Sequence, residues 1–422
     1  MLNHRINRYS RTARSTWLAL LMTASLSSGI TLLGCGDDDD SSDSMGGAPS
    51  SAGGESSAGT RPAGTSGGGA ATAGDSGAPA VPGGGAGGEA SQALATEGDR
   101  RIPYTPQSDL EFTAFFIAHH QMAIDMAMEE TERGATAAVK AMATQMIEAQ
   151  TMEIATMQNI QDQLEGVVPG AADDPHMMAD MKRIKAASGT ELDQLFLLDM
   201  IPHHAAGLAP AHRALPYLQA PELQQMAQDI VHAQATEIGE MHHMLQQLGV
   251  EGAGDDAAAP AADRADFGLI GDRRISLTPE DDVEFIDFFV PHHSMAVEMA
   301  EHEIAHGKDA AVVAMATMMR DAQTAEISLM RAKREELAGS ADPKPMPDDP
   351  HASSEMAAMM KMTGAELDQM FMKEMVVHHS TALPTTHRAK PHVTDADLQE
   401  LADSMFGDQA REIGELEMML GK

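Results

Sequence analysis

The chain has 422 residues and a formal net charge of −36. That charge argues against nucleic-acid binding, which needs Lys and Arg to neutralise phosphates, and suits the attraction of cations. The single cysteine excludes an intrachain disulfide and a cysteine-based zinc site. Aromatic residues make up only 3 %, whereas Met reaches 34 residues, so the core must be built largely from Met, Leu, Ile and Ala.

Residues 1–35 read as an export signal. A basic start is followed by a mostly apolar run over 17–33, which is typical of a signal peptide rather than of a membrane span. The run ends in Leu33-Gly34-Cys35, which resembles a bacterial lipobox and makes Cys35 the expected lipidated first residue of the mature protein. Gly36 in place of Asp favours the outer membrane. We therefore expect an exported protein that contacts the membrane of the cell envelope only through this lipid.

The next segment, residues 36–100, is dominated by Gly, Ala, Ser and Asp and predicts a disordered tether. Two related stretches follow. Glu111–Gly134 recurs as Glu284–Gly307, and Glu191–Leu215 recurs as Glu366–Lys390. These repeats predict two tandem modules, 101–250 and 278–422, joined by an acidic, Ala-rich linker over 251–277.

Each module is itself duplicated. Every half contains a His-His pair, and a Gln-x-x-Glu whose Gln follows the first histidine by 31 residues. The four sets are His119, His120, Gln150 and Glu153; His203, His204, Gln234 and Glu237; His292, His293, Gln323 and Glu326; and His378, His379, Gln409 and Glu412.

Apolar residues in the modules recur at helical spacing, and no stretch alternates with the period of a strand. Ser108 with Glu111, and Thr363 with Glu366, resemble capping boxes. Thr278 followed by Pro279 predicts another helix start. The fold class expected is therefore all-α.

Glycines fix the predicted register of the helices. Gly134 lies almost midway between His119 and Gln150, and Gly307 has the same place in the second module. Because glycine commonly ends helices, an antiparallel hairpin folded there brings each histidine level with a Gln-x-x-Glu. Two such hairpins make one four-helix bundle per module, with its polar residues in one interior layer.

The first histidine of each pair shares an apolar stripe with residues such as Phe112, Phe116 and Met122, and the second is turned about 100° away. Buried polar groups persist only when they are paired or ligated. Three interpretations follow: a metal or ligand site, which we favour, a hydrogen-bonded layer that sets helix register, and a catalytic centre. No residue is predicted to be catalytic.

Imidazole suits copper, zinc, iron and nickel, while thioether sulfur selects Cu(I). Methionines that lie one or two turns from the predicted ligands are Met122, Met126, Met241, Met295 and Met299. Methionine also fills irregular cores. Copper, as Cu(I), is therefore the favoured ion, ahead of zinc or iron. A ferritin-type di-iron site is disfavoured, because its Glu-x-x-His string does not recur in every half.

Two further features recur between the modules. His212 and His387 follow the second-half pairs, although Pro210 and Pro384 intervene and leave their direction open. The string Asp-Asp-Pro-His occurs at 173–176 and at 348–351, where Asp before Pro predicts a capped helix start.

The phrases FFIAHHQMAIDMA, FLLDMIPHHAAGLA, FFVPHHSMAVEMA and FMKEMVVHHSTAL resemble the bacterial family known as domain of unknown function 305. The resemblance implies exported, helical, ferritin-like modules, and some relatives bind copper or silver in the periplasm. Ala206 and Thr381 depart from it, since the first halves carry Met there. The function expected is sequestration or chaperoning of copper outside the cytoplasm; the alternatives are an interaction or scaffold lipoprotein and a metal-dependent oxidase.

Overall fold

A computed structural model describes residues 100–166, 174–250, 252, 274 and 276–421. These ranges contain no β-strand, which confirms the all-α class. The predicted signal peptide with Cys35, the tether up to residue 99 and most of the linker 251–277 lie outside them. The helices are α1 Asp109–Arg133, α2 Ala137–Gln161, α3 Pro175–Ala186, α4 Thr190–Ala214, α5 Pro221–Gln247, α6 Asp282–His306, α7 Ala310–Ala338, α8 Pro350–Met359, α9 Ala365–Ala389 and α10 Ala396–Leu420.

Over the part of the chain that the structure describes, no helix has the length and apolar character needed to traverse a bilayer.

The helices form bundles of hairpins. α1 pairs with α2, α4 with α5, α6 with α7, and α9 with α10, while the short helices α3 and α8 connect the hairpins of each repeat. α1 also packs against α4, and α6 against α9. The predicted turns are confirmed, because α1 ends at Arg133 before Gly134 and α6 ends at His306 before Gly307.

Three of the predicted helix starts are confirmed and two are wrong. The Ser108 side chain accepts from the backbone N–H of Glu111, and Asp174 and Asp349 cap α3 and α8 as expected. The Thr363 cap is wrong: α9 begins after Gly364, whose φ of 67° favours glycine. The Thr278 start is also wrong, because α6 begins three residues later, capped by the Asp281 carboxylate.

Long-range carboxylate caps tie the two hairpins of a repeat together. Asp109, at the start of α1, accepts from the backbone N–H groups of residues 219 and 220 at 2.8 and 3.1 Å, in the turn of the second hairpin. Asp193, at the start of α4, accepts from those of residues 135 and 136 at 2.8 and 2.9 Å, in the turn of the first hairpin. Asp282 and Asp368 do the same in the second repeat. Each hairpin therefore satisfies the turn of its neighbour.

The two repeats share one core. α4 lies along α9 and α5 along α10, and the central apolar cluster takes residues from both repeats. Two reciprocal ion pairs join them, Arg213 to Asp349 and Arg388 to Asp174, each at 2.7 Å. The described residues of both repeats accordingly fall in one compact unit. The division at 251–277 into separate modules stays a prediction from the sequence repeat.

The two repeats approach each other closely at a pair of glycines. A β-carbon added to Gly239 of α5 would lie 2.7 Å from Cα of Gly414 in α10, and one added to Gly414 would lie 2.6 Å from Cα of Gly239. The obstructing atoms belong to a helix backbone and cannot rotate away. These positions therefore require glycine.

The substitution Gly239→Ala is expected to destabilise the protein by about 1–3 kcal/mol, because it overpacks this crossing. In an open helix the same change stabilises by up to about 1 kcal/mol. Gly407→Ala is the matched control, since its new β-carbon would lie 3.4 Å from the flexible His242 ring. Urea unfolding of the three proteins tests the prediction, and equal midpoints would contradict it.

Burial changes the acidity of one carboxyl in each first hairpin. Glu130 and Glu303 are 0 % exposed. Burial, and then the neighbouring carboxylates of Asp193 and Asp368, raise the pKa of each from 4.5 to about 8. As carboxylates their oxygens lack a hydrogen-bond partner among the described residues. Protonated, each donates to the neighbouring aspartate, which at the same time caps a turn.

Because the folded pKa of about 8 lies above the ordinary value of 4.5, the folded state holds these protons more tightly than the unfolded chain does. Stability should therefore be greatest below pH 4.5, as far as these groups contribute, and should fall as the pH rises from about 4.5 to 8.

The double variant Glu130→Gln/Glu303→Gln should lose less stability between pH 5 and pH 8 than the natural protein, by roughly 2 kcal/mol or more. Urea unfolding at the two pH values measures the difference. Glu132→Gln, at an exposed position of the same helix, should leave the pH dependence unchanged. Parallel curves for the double variant and the natural protein would show that the buried carboxyls stay ionised.

Candidate metal centre

The second histidine of each pair contacts the glutamate of its own hairpin. His120 Nε2 lies 2.7 Å from an Oε atom of Glu153, and His204 Nε2 lies 2.8 Å from Glu237. The second repeat has the same contacts at 2.9 and 2.8 Å, His293 with Glu326 and His379 with Glu412. The hairpin register predicted from the 31-residue spacing is thus confirmed in all four hairpins.

The depths of the two histidines differ from the prediction. All four second histidines are 0 % exposed, whereas His119 and His378 are only half-buried. In α1 the buried stripe runs through Phe112, Phe116 and His120, and His119 lies on its flank. The assignment of the first histidine to the core stripe of α1 is therefore wrong. The His119 ring nevertheless packs against the other hairpin of the repeat.

The first histidines meet between the hairpins. The ring centroids of His119 and His203 are 4.0 Å apart, and those of His292 and His378 are 3.8 Å apart. His119 Nε2 donates to the backbone carbonyl of His203 at 2.9 Å. In the second repeat the bonds are mutual, since each ring binds the carbonyl of the other histidine at 3.1–3.2 Å. The four sets therefore make two layers, one per repeat.

These contacts involve Nε2 of the rings, so the unshared lone pairs lie on Nδ1. A neutral imidazole that donates from Nε2 to a carbonyl or carboxylate keeps an unprotonated Nδ1. The Nδ1 atoms of all eight paired histidines are buried without a hydrogen-bond partner among the described residues, and so are the Oε1 atoms of Gln150, Gln234, Gln323 and Gln409. Each layer thus contains buried acceptors without donors. A bound cation can interact with these acceptors in the place of hydrogen-bond donors.

A glycine lets the amide approach the imidazole in the first repeat. A β-carbon at Gly207 would lie 2.9 Å from Gln234 Oε1 and 3.0 Å from His119 Cε1. The glutamine and the first histidine therefore border the same small space beside α4. Gln150, Gln234, Gln323 and Gln409 are each 3–4 % exposed, so the four amides belong to the interior.

Burial keeps the facing imidazoles neutral. It lowers the pKa of His119, His203, His292 and His378 well below the ordinary 6.5, and neighbouring histidines lower each pKa further. Burial alone would raise the pKa of Glu412, but its bonds to His379 and Arg411 hold it below the ordinary value. Neutral imidazole is the form in which histidine binds metals.

The predicted methionines occupy two environments. Met126, Met241 and Met299 lie in the central apolar core, whereas Met122 and Met295 are half-buried at its edge. Met122, one turn from His119, also lines an open depression of about 470 Å³ together with Met178 and Met181. Ligation by any of these sulfur atoms stays a prediction.

Sequence reasoning missed where clusters of charged ligands form. Among the described residues, three or more His, Asp or Glu ligand atoms come within 4.8 Å of one another at two places: Asp180 with Asp199 and His387, and His212 with Glu355 and Glu374. Neither includes a residue of the four predicted sets, although each contains one of the two recurring histidines, His212 or His387. The signal was present, because all three positions recur 175 residues apart. It could not be interpreted without knowing that α4 packs against α9.

A duplicated helical protein with a buried histidine layer in each repeat is the class that the fold and site define. The chain belongs to the family described as Domain of unknown function (DUF305), whose profile matches residues 45–161, 163–245, 273–334 and 332–420. Each match covers one of the four hairpins. The comparison with curated proteins gave no match.

Among solved structures, the chain is similar to a DUF305 protein from Streptomyces coelicolor that is provisionally described as secreted. The sequences are 22 % identical, the TM-score is 0.31, and the match covers 35 % of this chain and 97 % of that one.

The carboxylate contacts should carry part of the stability of the layer. Glu153→Leu removes the carboxylate that lies 2.7 Å from the buried Nε2 of His120 and should cost about 1–3 kcal/mol. Glu153→Gln retains an acceptor and should cost less. Glu148→Leu, at an exposed position one turn earlier in α2, is the control. Chemical unfolding checks the order, and a Glu153→Leu protein as stable as the control would remove the structural role of this contact.

Proposed function

We propose that the protein sequesters or carries copper, as Cu(I), in the two histidine layers. The observation that supports this function best is the set of buried acceptors in each repeat: facing imidazoles and two glutamine oxygens, with no donor among the described residues. Leaving such atoms unpaired costs free energy, and a bound cation recovers it. The ion is the cargo, and no turnover is needed.

The ligand chemistry favours a soft ion. Neutral imidazole nitrogen combined with thioether sulfur selects Cu(I) over zinc or iron. Met122 and Met295 lie one turn beyond His119 and His292, which is within the reach of an unbranched side chain. The glutamates hold the second histidines from behind, as carboxylates commonly do for metal-binding imidazoles.

An acidic depression borders the first layer at Glu153. An open depression of about 440 Å³ is lined by Glu153, Glu222, Asp229 and Met226, among others. Glu153 also contacts the buried His120. Carboxylates at the surface, together with the net charge of −36, raise the local concentration of cations.

The same proposal places the protein outside the cytoplasm, held by a lipid on Cys35 at the outer membrane or the periplasmic face. The glycine- and alanine-rich segment 36–100 would then separate the helical part from the membrane surface. In that place the protein lowers free copper before it reaches the cytoplasm.

Replacing the four first histidines by glutamine should weaken Cu(I) binding by roughly a hundredfold, because each layer loses the Nδ1 lone pairs of its two facing rings. Cu(I) titration against a competing chelator measures the affinity under reducing conditions. The variant His243→Gln/His306→Gln, which changes two exposed histidines, is the control and should bind as the natural protein does.

Equal affinity in all three proteins would reject the proposal. If, in addition, Cu(I) left the melting temperature unchanged, the hydrogen-bonded layers would only set the register of the helices, and the protein would be an interaction or scaffold protein. Metal-dependent consumption of oxygen or peroxide would instead favour an oxidase.

A further inference from the structure

A second group of potential ligands lies where the two repeats meet. We define the interface cluster as His212 of α4, His351 and Glu355 of α8, and Glu374 of α9. His212 Nε2 lies 3.0 Å from Glu355 Oε1 and 3.5 Å from Glu374 Oε1. His351 Nδ1 lies 3.0 Å from the same Oε1 of Glu355. Three helices from both repeats thus bring one imidazole and two carboxylates within 4.8 Å of one another, and a second imidazole contacts one of these carboxylates.

The cluster has a counterpart related by the internal repeat. Asp180, Asp199 and His387 occupy the positions that correspond to Glu355, Glu374 and His212, each 175 residues apart. There a guanidinium supplies the cation, because Arg183 Nη2 binds an oxygen of Asp180 at 2.6 Å and one of Asp199 at 3.0 Å. The residue that corresponds to Arg183 is Ala358. The interface cluster keeps the carboxylates and the histidine without the arginine.

The cluster is mostly shielded from solvent. The side chains of His212, Glu355 and His351 are 19–20 % exposed, and Glu374 is 8 % exposed. His351 Nε2 is buried and has no hydrogen-bond partner among the described residues, so Glu355 orients this ring through Nδ1. Two partly buried carboxylates need a positive partner. Because Ala358 stands in the place of the arginine, that partner is either the His212 ring or a cation bound in the place of its proton.

We propose that His212, Glu355 and Glu374 bind one divalent transition-metal ion of the zinc class and thereby join the two repeats, while His351 orients Glu355 from the side. Zinc bonds of about 2.0–2.2 Å at tetrahedral angles separate ligand atoms by about 3.3 Å, close to the 3.0 and 3.5 Å between these side chains. Imidazole nitrogen with carboxylate oxygen suits Zn²⁺, whereas the layers proposed for Cu(I) combine imidazole with amide and thioether. The two sites are therefore chemically distinct.

The test uses the purified protein, stripped by a chelator and dialysed against buffered Zn²⁺, with bound metal counted by elemental analysis. The natural protein should bind one more tight equivalent than His212→Gln, which removes a ligand. Ala358→Arg, which restores the arginine of the counterpart, should lose the same equivalent. His243→Gln, at an exposed histidine, is the control.

Circular dichroism and Cu(I) capacity show whether each variant is folded with its layers intact, so that this proposal and the copper proposal can fail separately. The result that supports the site is at least tenfold weaker binding of one Zn²⁺ in both variants, with Cu(I) capacity unchanged. Equal Zn²⁺ stoichiometry and affinity in all four proteins would overturn it and leave the cluster as an internal His–Glu ion pair. A natural protein that binds no tight Zn²⁺ would overturn it equally.

Discussion

The structure depends on the cost of burying imidazoles. Eight histidines lie in or beside the helical interior, and each brings two ring nitrogens that water would otherwise satisfy. The fold meets part of this demand with fixed partners. A glutamate contacts the second histidine of every pair, and backbone carbonyls accept from first histidines in both repeats. The other nitrogens remain as acceptors, and the same geometry that stabilises the hairpins leaves a uniform set of lone pairs inside them.

That geometry is held from outside the layer. Asp109 and Asp193 bind each other's turns, so the two hairpins of a repeat cannot slide along one another without breaking four backbone hydrogen bonds. Since the facing rings of His119 and His203 are only 4.0 Å apart at their centroids, a shift of one helical turn would separate them. The aspartates at the helix starts are thus as important for the layer as the residues within it.

Much of this could be predicted from the chain alone, and the limits have physical causes. The spacing of His119, Gln150 and the midpoint Gly134 determined the hairpin register, because a glycine after a helical run fixes where the chain reverses. The relative depth of His119 and His120 could not be predicted, since neighbouring positions both border the apolar stripe of α1. Contacts between the repeats were also out of reach. The helix that makes many of these contacts is α4. It is buried on nearly all sides and therefore needs neighbours on more than one face.

The crossing of α5 and α10 at two glycines relates the two fused repeats to a homodimer. Gly239 meets Gly414, its own counterpart, and Arg213 and Arg388 exchange equivalent partners. A surface that meets its own duplicate is isologous, which is the geometry of a twofold homodimer. Covalent linkage turns such an association into an intramolecular one, with an effective concentration on the order of millimolar for a flexible connection. In a fused chain each half can change without its twin. The difference between Arg183 and Ala358 is of a kind that a symmetric pair of identical subunits could never acquire on one side alone.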